Sequence, residues 1–231
     1  MRLPAFVQEK RRHSVEARHA RLHTSGGLVA GLSAACLIPL FILSHAVGNP
    51  RSYTIDSAHS HATIEVGKSG VFSFAAGHTH EVEARTIAGT LTVDADDPAR
   101  STVHVTVDAS ALRVTGKGES ADDVPKVQET MAGAQVLDVR SYPTITFAST
   151  SIAVRGHTPT TLDTIVSGQL TIRNVTHPIS VPVSVHIDGQ TLSATGRFPV
   201  KQTEFGMKPV SVAGVVSVKD TVNVSFAIEA R

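Results

Sequence analysis

The near-neutral charge of this 231-residue chain conceals an uneven distribution. Residues 1–25 hold six Lys and Arg against two Glu, whereas the residues after Pro50 hold fifteen against eighteen Asp and Glu, a net charge of −3. Nucleic-acid-binding domains normally carry a basic stripe that replaces phosphate counterions, so the composition excludes nucleic acid as the expected partner. The single cysteine, Cys36, lies before this region, which therefore forms neither an internal disulfide nor a thiolate metal site.

The N-terminal segment combines a basic arm with an apolar run. Residues 26–48 contain no Asp, Glu, Lys or Arg and match the roughly 20 residues that span a bilayer core as a helix. The basic arm, residues 1–25, should remain cytoplasmic, which places the following domain on the extracytoplasmic side, in the cell envelope or periplasm. Ser44-His45-Ala46 offers a cleavage site, so the run is either a signal peptide, with a mature start near Val47, or a retained transmembrane anchor that holds the protein at the membrane.

Apolar and polar residues alternate with a period of two from Tyr53 to the C-terminus, which is typical of strands with one buried face. Turn-forming residues separate these runs at hairpin intervals and favour sequential antiparallel pairing. The alternation predicts an all-β domain over residues 52–231, with a barrel of about eight strands. Its clearest apolar series are Ala62, Ile64 and Val66; Val103, Val105 and Val107; Ile179, Val181, Val183, Val185 and Ile187; and Val222, Val224, Phe226 and Ile228.

Two local features interrupt this rhythm. Between Asp122 and Val139 the apolar residues fall at helical spacing, with Asp122 or Asp123 as a candidate N-cap and Pro125 in the first turn, so one short helix is expected. Pro178 and Pro182 cannot donate to a β-ladder, which places them at an edge, at a bulge or on an unpaired side of the sheet.

Four segments of the body resemble the YceI-like family in order and spacing. They are Tyr53–Ser60 (YTIDSAHS), Ser141–Ile152 (SYPTITFASTSI), Ser167–Ile179 (SGQLTIRNVTHPI) and Thr203–Gly206 (TEFG). The resemblance covers residues 52–230. It implies an extended, lipocalin-like antiparallel barrel whose apolar interior binds a polyisoprenoid or similar long-chain lipid, usually outside the cytoplasm. The chain departs from the family pattern at Gly118–Met131 and at Gly77–Glu81 (GHTHE), so it represents a divergent branch.

Two His-x-His pairs are the candidate polar site. In a strand, His59 and His61 point to one face, as do His78 and His80, and such pairs can bind a metal or an anion. We expect these four histidines at the cavity mouth, where they contact the polar head group of the ligand. An acidic head group should be held more tightly at lower pH, because an imidazolium donates two hydrogen bonds. Two alternatives are a metal site formed by His78, His80 and Glu81, and solvent-facing histidines without a ligand.

The large apolar side chains of the strands are candidates for the cavity wall, although each can equally belong to the packed core. The candidates are Phe72, Phe74, Leu112, Leu137, Phe147, Phe198, Phe205 and Phe226. The shortage of large aromatic residues leaves space inside a barrel of this size.

The sequence therefore predicts a non-enzymatic carrier of a long-chain lipid, without a metal or other cofactor. Nucleophile, Walker and dinucleotide motifs are absent from the sequence. The alternatives are a metal-binding protein or metal-dependent enzyme that uses the paired histidines, and a stress-related envelope module that acts through protein partners. A homodimer is a further possibility.

Overall fold

The computed structural model describes residues 49–69, 79–212 and 216–231. In these residues it contains fourteen β-strands, one α-helix and three 3-10 turns. The strands are β1 (Arg51–Thr54), β2 (His61–Val66), β3 (Lys68–Ser69), β4 (His80–Ala84), β5 (Ile87–Val93), β6 (Thr102–Asp108), β7 (Arg113–Val114), β8 (Thr144–His157), β9 (Thr161–Ile172), β10 (Val175–Asp188), β11 (Thr191–Lys201), β12 (Ser211–Val212), β13 (Val216–Val218) and β14 (Thr221–Ala230). The helix, α1, spans Val124–Ala132, and the 3-10 turns span Pro98–Arg100, Ala109–Ala111 and Gln202–Phe205.

Eight strands form a closed antiparallel ring in the order β1-β5-β6-β8-β9-β10-β11-β14. The end of β1 completes the ring, because Thr54 exchanges backbone hydrogen bonds of 2.8 and 3.0 Å with Arg231, and Ile55 bridges Ala230 at the end of β14. The predicted all-β antiparallel fold of about eight strands is confirmed. Closure matters because it leaves one face of every ring strand enclosed.

The remaining strands extend the ring at one end. β2 pairs with the first half of β14, β4 pairs with β2, and β7 pairs with β4, while β12, β13 and β3 form a separate three-stranded sheet. The sequence predicted β2 from the alternation of Ala62, Ile64 and Val66. The two- and three-residue strands β3, β7, β12 and β13 were not anticipated, since such short runs carry no detectable periodicity.

The side chains alternate across the ring wall as the sequence predicts. In β6, for example, Val103, Val105 and Val107 face the interior, whereas Thr102, His104 and Thr106 are exposed. Many inward apolar side chains are only half-buried, including those of β6. The interior is therefore hollow in part, because inward residues of a filled core would be fully buried.

The two prolines of β10 lie on an unpaired side of the sheet, as predicted. β10 pairs with β9 from Val175 to His186, but it pairs with β11 only from Val183 onward. Pro178 and Pro182 precede that point. Their missing N–H groups therefore face the gap where β10 and β11 separate.

The predicted helix is present and shorter than the apolar pattern indicated. α1 begins at Val124, has Pro125 in its first turn and ends at Gly133. Asp123 occupies the N-cap position, but its side chain makes no cap hydrogen bond and instead accepts from Ser120 Oγ at 2.7 Å and pairs with Lys126 at 3.0 Å. The helix packs Val124, Val127 and Met131 against the core cluster, which explains the helical spacing.

The predicted basic arm and N-terminal apolar helix, residues 1–48, lie outside the described residues. Within the part of the chain that is described, no helix is both long and apolar enough to cross a membrane. The predictions of a signal peptide or anchor and of an extracytoplasmic location stay predictions.

Two inward glycines accommodate aromatic rings of neighbouring strands. A Cβ atom at Gly168 in β9 would lie 2.4 Å from the backbone oxygen of Ala148 and 2.5 Å from the ring of Phe147. A Cβ atom at Gly196 in β11 would similarly lie 2.6 Å from the ring of Phe226. These glycines let Phe147 and Phe226 lie flat along the interior wall, so they set the width of the cavity.

We predict that Gly168→Ala lowers the free energy of unfolding by about 1–3 kcal/mol, because the added methyl group overlaps backbone as well as ring atoms. Gly156→Ala in β8 is the matched control, since its Cβ atom would meet nothing closer than Asp163 Oδ2 at 3.9 Å. That variant should lie within about 0.5 kcal/mol of the parent or above it. Urea unfolding followed by circular dichroism measures both, and equal effects of the two substitutions would contradict the crowding argument.

A buried aspartate organises the loop between β5 and β6. The side chain of Asp94 is 2% exposed and accepts hydrogen bonds from the backbone N–H groups of Asp96 and Asp97 at 3.1 and 2.9 Å, and from Arg100 Nε at 2.8 Å. The Asp97 N–H bond, together with the Arg100 guanidinium, holds the pKa of Asp94 below its usual value.

We predict that Asp94→Asn destabilises the protein at pH 7 and that this difference shrinks in acid. The folded-state pKa of Asp94 lies below its unfolded value of about 3.9, so its contribution is complete above that pH and is lost as the pH falls through the folded-state pKa. Urea unfolding at pH 7 and at pH 3 measures the change. The exposed Asp122→Asn is the control, and a constant difference for Asp94→Asn at both pH values would contradict the prediction.

Candidate functional site

The main cavity runs through the interior of the ring and has a volume of about 330 Å³. β9 alone contributes wall residues from Leu162 to Ile172, about 33 Å of strand at ~3.3 Å per residue. Polar side chains are a small minority of its wall, and none of the described lining residues is ionisable. Those polar residues are Thr92, Ser101, Thr102, Thr146, Thr164 and Gln202. Such a wall suits an apolar chain, because it offers few partners for water.

Five of the eight predicted wall residues line this cavity. Phe147, Phe198 and Phe226 are half-buried inward residues of β8, β11 and β14, whereas Leu112 and Leu137 are buried on the loops that flank α1. The ring of Phe198 meets that of Phe226 edge-on, with centroids 6.4 Å apart. Contact of these residues with a ligand stays a prediction.

Phe205 has a different position. It is 1% exposed, its ring lies edge-on to His177 with centroids 5.2 Å apart, and it is not among the residues that line the cavity. His177 lies in the part of β10 that does not pair with β11. Phe205 therefore covers the gap between these two strands, beside the β10 prolines. The remaining two candidates, Phe72 and Phe74, lie outside the described residues.

A second cavity of about 400 Å³ adjoins the main cavity beside α1. The two cavities share the wall residues Val66, Val82, Met131, Val136 and Gln202. The second cavity also has charged and polar wall residues, so we call it the mouth cavity. Its further wall residues are Lys68, His80, Glu119, Asp123, Lys126, Val127, Thr130, Val210, Ser217 and Val218.

His80 is the predicted histidine that lies in the mouth cavity. It has the same parity on β4 as the inward Val82, and its Nδ1 lies 2.9 Å from Glu119 Oε1. The side chain of Glu119 is 1% exposed, and its second oxygen, Oε2, has no hydrogen-bond partner in the part of the chain that the structure describes. Gln202, which lines both cavities, donates from Nε2 to the backbone oxygen of Lys219 at 2.8 Å.

The structure does not bring His59 or His61 to His80. His61 is exposed on β2, and Val66, the residue of β2 opposite His80, lies five positions further, about 16 Å along the strand at ~3.3 Å per residue. His59 lies in the turn before β2, has a 67% exposed side chain and bonds to Asp56, which also pairs with Arg231. His78 lies outside the described residues.

Glu81, the predicted third metal ligand, occupies the face of β4 opposite to His80. Its carboxylate pairs with Lys117 Nζ at 2.9 Å and accepts from Thr115 Oγ1 at 3.1 Å. The Lys117 bond holds the pKa of Glu81 below its usual value. Within residues 49–69, 79–212 and 216–231, no three His, Cys, Asp or Glu side chains form a group suited to a metal ion.

Comparison with known proteins agrees with this architecture. The YceI-like domain family matches residues 53–230. The chain belongs to the YceI-like family. A UPF0312 protein of Shewanella putrefaciens is 26% identical over 182 residues, which cover 75% of this chain and 86% of the relative.

Solved structures with this fold include BcnA of Burkholderia cenocepacia and a polyisoprenoid binding domain from Saccharophagus degradans that is implicated in plant cell wall breakdown. The first has a TM-score of 0.61 and 22% identity, and the match covers 77% of this chain and 99% of BcnA. The second has a TM-score of 0.55 and 12% identity, with coverage of 78% and 97%. At these identities, the likeness shows the shared fold.

Three YceI-like sequence segments meet at one arginine. Arg173, in the two-residue turn between β9 and β10, donates from Nη1 to the backbone oxygens of Val136 and Gly206 at 3.1 and 2.8 Å. Its guanidinium lies over the Tyr142 ring, 5.7 Å from the centroid. Arg173 and Asn174 both have positive φ, as a tight hairpin turn requires. The YceI-like segments at this end of the barrel thus hold loops together.

Sequence reasoning missed Glu119 and Gln202. Both lie in irregular segments, Glu119 in the turns before α1 and Gln202 in a 3-10 turn, so alternation gave no information on where their side chains point. The only available signal was that Glu119 falls in the segment where this chain departs from the YceI-like pattern.

We predict that Arg173→Ala lowers the free energy of unfolding by about 1.5–3 kcal/mol, because two carbonyl groups lose a charged donor. Arg173→Gly loses the same contacts but relieves the left-handed conformation at φ 53°, so it should be about 1 kcal/mol more stable than Arg173→Ala. Denaturant unfolding of all three proteins tests this order. Equal stability of Arg173→Ala and the parent would contradict the role of Arg173.

Proposed function

We propose that this protein binds a polyisoprenoid or similar long-chain lipid in its main cavity and carries it on the extracytoplasmic side of the membrane, without catalysis. The observation that carries the proposal is the form of the cavity, which is long, enclosed by the strands of one ring and bounded by almost entirely apolar side chains. A compact polar ligand would leave its hydrogen bonds unmade along such a wall.

Physical chemistry supports an apolar chain as the occupant. Burial of the chain removes hydrocarbon surface from water, which favours binding by about 25 cal/mol per Å² of buried apolar surface. The ring is also preformed, which lowers the entropic cost of ordering the protein on binding. The polyisoprenoid binding domain from Saccharophagus degradans shares the fold and supports this ligand class. The extracytoplasmic part of the proposal is supported by the basic arm followed by the uncharged residues 26–48.

The ligand is tested by native mass spectrometry of the full chain purified without added lipid, followed by solvent extraction. A bound long-chain lipid is expected. Failure to find one, together with failure to bind an added polyprenol, would overturn the proposal.

We predict that Val105→Phe weakens binding of an added polyprenol at least tenfold, because the larger ring occupies the cavity. Val105 is inward and half-buried, so filling this space should leave stability unchanged or raise it by about 0.5–2 kcal/mol. The matched control is Thr106→Phe, which adds an aromatic ring to the exposed face of the same strand. Competition against a fluorescent long-chain probe measures the affinities, and a Val105→Phe protein that folds and binds as tightly as the parent would contradict the site.

A further inference from the structure

The mouth cavity contains a buried polar group whose hydrogen bonding is incomplete. Glu119 Oε1 accepts from His80 Nδ1, and Oε2 is buried without a hydrogen-bond partner among residues 49–69, 79–212 and 216–231. Buried side-chain oxygens nearly always have a partner, because an unmade hydrogen bond costs the desolvation of the group. The exception therefore points to a group that the described residues do not supply.

Glu119 lies where such a group would arrive with the lipid. It is part of the mouth wall beside Val66 and Val82, which also line the main cavity. A chain that fills the main cavity toward α1 brings its polar end to this wall. Because the end of such a ligand must leave the apolar region, the first polar side chains beyond it select the head group.

The free positions of the pair are hydrogen-bond acceptors. A carboxylate accepts only, and a neutral imidazole that donates from Nδ1 to Glu119 keeps Nε2 as an acceptor. The pair therefore favours a head group that donates, such as a hydroxyl. A phosphate would bring further acceptors and negative charge against the carboxylate.

Other charges around the mouth do not reverse this preference. Its wall carries Lys68 and Lys126 against Glu119 and Asp123, so the formal charges balance when His80 is neutral. Lys126 Nζ is already paired with Asp123 at 3.0 Å. Lys117 is engaged by Glu81 on the outer face of β4. The described wall of the mouth thus lacks the excess of positive charge that a phosphate site normally has.

We propose that the mouth cavity binds the hydroxyl end of a long-chain alcohol, with the hydroxyl donating to Glu119 Oε2, and that it discriminates against the corresponding phosphate. This inference rests on the proposed function and specifies the ligand class. The paired histidines alone suggested an acidic head group. Glu119, contributed by the divergent segment, favours a donor at this point.

The test compares three probes of similar chain length at pH 7.5: a polyprenol, its monophosphate and an isoprenoid hydrocarbon without a head group. Full-length protein is used in competition against a fluorescent long-chain probe. The parent should bind the alcohol at least tenfold more tightly than the phosphate. Glu119→Gln adds an amide donor and removes the charge, so it should bind the alcohol several-fold more weakly and the phosphate more tightly, while hydrocarbon affinity stays unchanged.

Glu129→Gln is the matched control, because it makes the same change at an exposed position of α1 outside both cavity walls. It should keep the preference of the parent. The head-group inference would be overturned if the parent bound the alcohol and the phosphate with equal affinity, or if Glu119→Gln kept the preference of the parent. In either case, binding of the hydrocarbon would still support the lipid site. Failure of all three probes to bind the parent would instead overturn the proposed function. Thermal unfolding of each variant, with its hydrocarbon affinity, separates lost selectivity from lost folding.

Discussion

Closure of the ring is the constraint on which the rest of the molecule depends. The backbone bonds between Thr54 and Arg231 join the first and last ring strands, so the strands surround a common interior. Period-two alternation then separates the chain into an enclosed apolar surface and an exposed surface rich in Ser, Thr and His. Since Gly168 and Gly196 allow aromatic rings to lie along the wall, the enclosed surface surrounds a cavity rather than a filled core.

Two features with different roles lie at the same end of the ring wall. The end that carries α1 combines Arg173, which joins the loops around Val136 and Gly206, with the polar mouth formed by β4, α1 and the turn at Gln202. The segments that resemble the YceI-like family supply the first of these, whereas the divergent segment before α1 supplies Glu119.

The carboxylates on the two sides of β4 have different electrostatic environments. Glu81 is paired with Lys117 and satisfied on the outer face, so its pKa is lowered by a contact exposed to solvent. On the inner face, Glu119 is removed from solvent and has one oxygen without a hydrogen-bond partner among the described residues. Glu119 is therefore the carboxylate whose hydrogen bonding a ligand can complete, although the sequence pattern had drawn attention to Glu81.

The sequence by itself determined the strand pattern, the antiparallel order and the presence of one short helix between Asp122 and Val139, because each follows from periodicity and turn signals. It restricted Pro178 and Pro182 to an edge, a bulge or an unpaired side, and the structure decided for the unpaired side. It also identified Phe147, Phe198 and Phe226 as inward residues. Only the tertiary structure separated His61 from His80, placed Phe205 over the gap beside β10 and brought Glu119 to His80. The physical reason is that alternation fixes which face a strand residue occupies, whereas position along a closed ring and the direction of loop side chains depend on register and on contacts distant in sequence.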